Sequence, residues 1–193
     1  MNKMITLLSL GLMTISFPLL ASGHFQVNEQ LSTVNFASIK KQYVVEPAVI
    51  SGISGKIDDK GVLELTIPLN MLDTGVSIRN ERLRAMFFDE EKFPSVKVTA
   101  SVPEQLMGNE DLAMQKMLPA TVELYGQSKE LIFTVNIVKS GSHLMVSTAK
   151  PTVISGFDFG IPEESLSSVS NTVGDIALSP SVPVNFSLVL EKR

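Results

Sequence analysis

The sequence predicts an all-β fold, either an antiparallel sandwich or a closed barrel, on three observations. Apolar residues recur with period two, turn residues of hairpin length separate the apolar runs, and helical periodicity is confined to two short stretches. Leu63, Leu65, Ile67 and Leu69 form one face of a strand, with Glu64, Thr66 and Pro68 on the other. The same alternation returns in Leu131, Phe133, Val135 and Ile137, in Leu144, Val146 and Thr148, and in Val184, Phe186, Leu188 and Leu190. One face of each strand is expected to be buried, so the inward rows include Leu63, Leu65, Ile67, Phe133, Val135, Ile137, Phe186 and Leu188.

Turns are expected at Asp58 to Gly61, at Gly126 to Lys129 and at Ser140 to Ser142. Connections this short make consecutive strands antiparallel neighbours. The helical stretches are Arg79 to Phe88, with Ser77 as the expected N-cap, and Pro162 to Val173, with proline in the first turn followed by Glu163 and Glu164. Both read as short insertions in a strand-rich chain. Residues 103–119 fit neither periodicity, with Gly108-Asn109 expected to turn the chain and the methionines expected to act as apolar filler. The sequence shows no internal repeat and no second domain.

The first residues read as a signal peptide. Lys3 precedes an apolar run from Met4 to Leu20, broken at Pro18, and the small residues Ala21, Ser22 and Gly23 follow. Cleavage is expected after Ala21 or Gly23. The division is then a signal at 1–23 and one domain at 24–193, exported in soluble form to the periplasm of a Gram-negative envelope. The chain has no cysteine, which excludes a lipidated signal, a disulfide framework and a thiolate metal site. A net charge of −4 provides no basic face for nucleic acid. Beyond the signal, no segment is long and apolar enough for a membrane-spanning helix, so the protein is not expected to be integral to a membrane.

The sequence offers little for catalysis. Its two histidines, His24 and His143, are not spaced for a metal site, and His143 is expected to point outward beside the inward Leu144. Gly-x-Ser-x-Gly is absent. The Ser-x-x-Lys pairs Ser38 to Lys41 and Ser147 to Lys150 lie in strand-like sequence without companion motifs, and Asp89, Glu90 and Glu91 read as a solvated turn. No catalytic residue, no metal and no cofactor is expected. Trp is absent and aromatics make up 6% of the residues, with nine methionines, a composition that favours an adaptable apolar cavity over a filled interior.

The most unusual stretch runs from Leu72 to Asp89 and continues to Phe93-Pro94, combining three arginines with clustered aromatics. Leu83, Met86, Phe87 and Phe93 either cap one end of the sheet structure or form a gate, with arginine available for an anionic head group. Here the sequence resembles the YceI-like family. Asp73-Thr74, Arg79 to Ala85, Phe88 and Phe93-Pro94 are similar to its central signature. Ser32 to Phe36 resembles its opening strand, Val122 to Leu131 its Leu-x-Gly-x-x-Lys hairpin, and Phe157 to Gly160 its late Phe-x-x segment. Two positions depart from the signature: Asn80 stands where the family has Asp, and Arg82 where it has His. Residues 40–54 also lack the family's usual glycine and aromatic pattern.

The resemblance implies a single lipocalin-like antiparallel β-barrel of about eight strands, with one or two short helices, that holds a polyisoprenoid or similar long-chain amphiphile. The residues expected to contact such a lipid are Arg79, Leu83, Met86, Phe87, Phe88, Phe133, Val135 and Phe186. Arg79 matches the family's first arginine and is the expected head-group partner. The competing expectation is a non-catalytic envelope barrel with a filled interior that acts through a protein partner. The sequence leaves monomer and homodimer both open.

Overall fold

The structure is a computed structural model that describes residues 25–193, so the expected signal peptide and its cleavage site lie outside the described residues. Twelve strand segments among them follow the chain in order. They are β1 (Phe25–Val27), β2 (Thr33–Lys40), β3 (Val44–Ile50), β4 (Ser54–Ile57), β5 (Val62–Pro68), β6 (Leu72–Asp73), β7 (Ser95–Ser101), β8 (Leu112–Leu124), β9 (Gln127–Ser140), β10 (His143–Thr148), β11 (Thr152–Ser155) and β12 (Ser181–Lys192). Two helices are inserted, α1 (Ser77–Arg82) and α2 (Glu163–Asn171).

Closure makes this sheet a barrel. β1, β4, β5, β7, β8, β9, β10 and β12 pair in that order, and β12 returns to β1 through Phe25↔Lys192 and Val27↔Leu190. The eight staves are all antiparallel, as the short turns require. The first stave is interrupted and resumes as β2, which pairs the same strand through Val34↔Phe186 and Phe36↔Val184. β2 and β3 form a hairpin running from Val34↔Ile50 to Lys40↔Val44.

The period-two rows point where the sequence placed them. Leu63, Leu65, Ile67, Phe133, Val135, Ile137 and Leu188 are buried in the barrel, Leu144 is buried, and His143 is exposed. Below this core one end is shut. The Pro103-to-Gly108 loop folds over it, with Leu106 buried and Lys139 only 2% exposed. Lys139 continues the inward row of Phe133, Val135 and Ile137, and its ammonium donates to the carbonyls of Leu106 and Gly108. An ammonium placed this deep is supported by such carbonyl partners.

Several local expectations need correction. Ser77 is the first residue of α1 rather than its cap; the N-cap is Val76, with no side-chain hydrogen bond, and the helix start is held instead through Asn80. The turn near 126 consists of Tyr125 and Gly126, both with positive φ (53° and 73°), so Gln127 to Lys129 already belong to β9. Residues 103–119 resolve into a short 3-10 turn at Glu104–Leu106 and the first half of β8. Their alternation is masked because the exposed Lys116 breaks the inward row of Leu112, Met114 and Leu118 while the apolar Met117 falls on the outer face. Pro162 caps α2 from outside, and the helix stops at Asn171, two residues short of Val173.

Candidate functional site

The other end of the barrel opens into a cavity of about 560 Å³. Its floor is formed by inward rows of four staves, among them Leu65, Val98, Ala120 and Phe133. Two small residues, Ala100 and Ala120, sit where neighbouring strands carry Leu or Val, and they leave room that larger side chains would occupy. Phe133 and Phe186 meet edge to face at 5.6 Å on one wall. The volume falls within the range of small-molecule sites, and the walls are predominantly aliphatic and aromatic.

The mouth is built from the inserted helices. After α1 the helix continues as a wider π turn over Leu83–Phe87, so Leu83 and Phe87 both reach the cavity wall. Phe87 and Phe88 pack edge to face at 4.9 Å. A Cβ at Gly156 would stand 2.8 Å from the Phe87 ring, so the aromatic fits only because that position is glycine. α2 contributes Leu166 and Val169 to the same rim.

Charge is confined to one side of this mouth. Lys40, Lys41, Glu46, Arg79 and Arg82 line it, and Glu46 accepts from both Lys40 and Arg79, the latter at 3.0 Å. Arg79 is therefore paired across the mouth with a β3 carboxylate. Arg82 lines the cavity without an ion pair among the described residues. Asn80, the other departure from the signature, has a structural role. Its Oδ1 accepts from the Thr74 N–H at 2.8 Å and the Thr74 hydroxyl at 2.6 Å, and its Nδ2 donates to Asp73.

Of the residues expected to contact a ligand, Arg79, Leu83, Phe87, Phe88, Phe133 and Phe186 all line the cavity. Val135 is fully buried toward the shut end and Met86 is half-buried, and neither lines it. Lys40, Lys41 and Glu46 also line the mouth, and their only signal in the sequence is a departure from the family pattern. Among the described residues no group of His, Asp or Glu is arranged to hold a metal ion, and no helix is long and apolar enough to cross a membrane.

Asp73 holds the loop that enters α1, and the Gly75 N–H and the Asn80 amide keep its carboxyl below the ordinary carboxylate value. A depressed pKa means that the anchoring is present above the unfolded-state value and is lost as the pH falls through the folded one. Carboxyl titration followed by NMR should place Asp73 below the ordinary aspartate range. In Asn80→Ala its titration should move back up.

A YceI-like domain model matches residues 25–190. The chain belongs to the YceI-like family. A solved polyisoprenoid binding domain from Saccharophagus degradans, implicated in plant cell wall breakdown, is 27% identical and superposes with a TM-score of 0.84, over 89% of this chain and 100% of that one. BcnA of Burkholderia cenocepacia, at 18% identity and a TM-score of 0.64 over 84% of this chain and 98% of its own, shares the fold. No curated protein matches the sequence. Within this YceI-like barrel the cavity, the helical lid and the charged mouth occupy a single end.

Proposed function

We propose that the protein is a non-catalytic carrier that holds a polyisoprenoid or similar long-chain amphiphile in its barrel and works in the bacterial periplasm. The observation that carries this reading is the open apolar cavity of about 560 Å³ with cations at its mouth only. A hydrocarbon tail gains ~0.8 kcal/mol for each buried CH₂, so such walls retain it without specific polar contacts. The open space supports the carrier over a filled barrel acting through a partner. The Saccharophagus degradans domain, described as polyisoprenoid binding, supports the same ligand class. The periplasmic setting rests on the Met4-to-Leu20 run and the small residues after it.

The tail would lie along Leu83, Phe87, Phe133 and Phe186, and the head would stop beside Arg79 and Arg82. Mass spectrometry of an organic extract of protein purified from its native envelope is expected to show a long-chain isoprenoid or related amphiphile. An extract without such a molecule would overturn the reading. Arg79→Leu should lower the retained anionic lipid severalfold at unchanged melting temperature, because Glu46 keeps Lys40 as a partner. Undiminished lipid would remove Arg79 from the head-group site.

A further inference from the structure

The rim of the cavity is not flush with the barrel wall. The last pair between β12 and β2 is Val184↔Phe36, whereas the β2–β3 ladder continues to Lys40↔Val44. The hairpin therefore reaches past the last β12–β2 pair, flanked there by the segment that precedes β12 through the Lys40↔Leu178 bridge. Its tip carries Tyr43, Val44 and Val45, which are 82%, 41% and 59% exposed. Across the opening, Val76 and Ile78 at the start of α1 and Val173 after α2 are also exposed, and all three line the cavity.

These segments form one rim because they are tied together. Arg79 bonds Glu46 of β3, the Lys41 N–H donates to the Ala177 carbonyl at 2.8 Å, and the Ser179 N–H donates to the Ile39 carbonyl at 2.9 Å. Single exposed apolar residues are ordinary on protein surfaces, but a group of them around an opening and continuous with its apolar lining is not. Tyrosine with aliphatic neighbours and flanking lysines is the composition that settles at a bilayer interface.

The charge lining this mouth is predominantly positive. Four cations, Lys40, Lys41, Arg79 and Arg82, line the mouth against one carboxylate, Glu46, which is already held between Lys40 and Arg79. Other acids nearby lie outside the lining: Glu81 and Asp175 do not line the cavity, and Asp73 is engaged by Gly75 and Asn80. A chain of net charge −4 thus carries more cations than carboxylates in the lining of this mouth.

We propose that this rim docks on an anionic lipid bilayer, seating Tyr43, Val44, Val45, Val76, Ile78 and Val173 in the interface with the four cations against the head groups. A ligand tail then passes between bilayer and cavity without crossing water. The docking geometry stands on the rim itself, and only its purpose rests on the carrier reading. A second copy is a poorer occupant for the same face. Among the described residues no strand pairs the outer edge of β3 from Val44 to Ala48, since β6 reaches only Val49 and Ile50, but Pro47 has no N–H to offer an added strand.

Flotation with vesicles tests the inference. The purified protein is expected to float with phosphatidylglycerol/phosphatidylethanolamine vesicles, and at least tenfold less with pure phosphatidylcholine vesicles or in about 0.5 M salt, where surface charges are screened. The double variant Tyr43→Glu/Val45→Glu should lose flotation at least tenfold while keeping its melting temperature. Its binding of lipid added in detergent solution should not change, because neither residue lines the cavity. Absence of flotation with the anionic vesicles, equal flotation with both vesicle types, or undiminished flotation of the double variant would each overturn the docking. So would a light-scattering dimer that the double variant converts to monomer, which would assign the rim to a second copy. An empty lipid extract with anionic-vesicle binding intact would support the docking and count against the carrier alone.

Discussion

Replacing Ala120 with phenylalanine is expected to empty the barrel of lipid at least tenfold while leaving the protein folded. Ala120 is 5% exposed and lies in the cavity wall between Leu118 and Val122, so the added ring enters space that the native side chains leave open. It carries no polar atom that would need a partner there. Filling existing space adds packing contacts, whereas forcing a ring into a fully packed core costs about 1 to 3 kcal/mol. The melting temperature should therefore hold or rise while the extracted lipid falls. Ala120→Val, which adds only two carbons, should retain most of it. Lipid retained in full by the phenylalanine variant would place the ligand elsewhere.

Gly55→Ala is expected to destabilise the barrel by about 3 kcal/mol, which for a domain of this size lowers the melting temperature by about 6 to 12 °C. Gly55 pairs with Leu65 in the β4–β5 ladder. A Cβ there would stand 2.2 Å from the Glu64 carbonyl oxygen and 3.0 Å from the Leu65 Cα, both backbone atoms that cannot swing aside. Relief requires the two staves to separate. Gly75→Ala is the control, since Gly75 has φ +74° with nothing within 4 Å of the added carbon. It should show only the left-handed backbone cost of about 1 to 2 kcal/mol. Gly55 also has φ +155°, so its variant combines clash with dihedral strain whereas Gly75→Ala reports strain without clash, and equal losses in thermal unfolding would contradict the close approach at Gly55.

Much of the site was legible because burial in a strand follows a local rule. Alternation identified Phe133 and Phe186 as inward, and helical spacing around Arg79 identified the lid that carries Leu83 and Phe87. Val135 obeys the same alternation as Phe133 yet lies below the cavity, because two residues along a stave change depth and periodicity encodes only side. Met86 was misplaced for a related reason. The π turn over Leu83–Phe87 rotates successive side chains away from the spacing that a regular α-helix predicts.

By itself the sequence determined the fold class, the inward rows, the positions of both inserted helices and, through the Leu72-to-Pro94 signature, the family. All of these depend on residues close together in the chain. Periodicity left sandwich and barrel open and the family signature implied the barrel that the structure shows, but only the tertiary structure decided that one end is shut over Lys139 and Leu106 and that the open end gathers Lys40 and Glu46 beside Arg79. Those outcomes depend on register between strands as distant as β1 and β12 and on a lysine and a glutamate meeting an arginine more than thirty residues away. A pattern of single residues carries no record of which distant partner each will face.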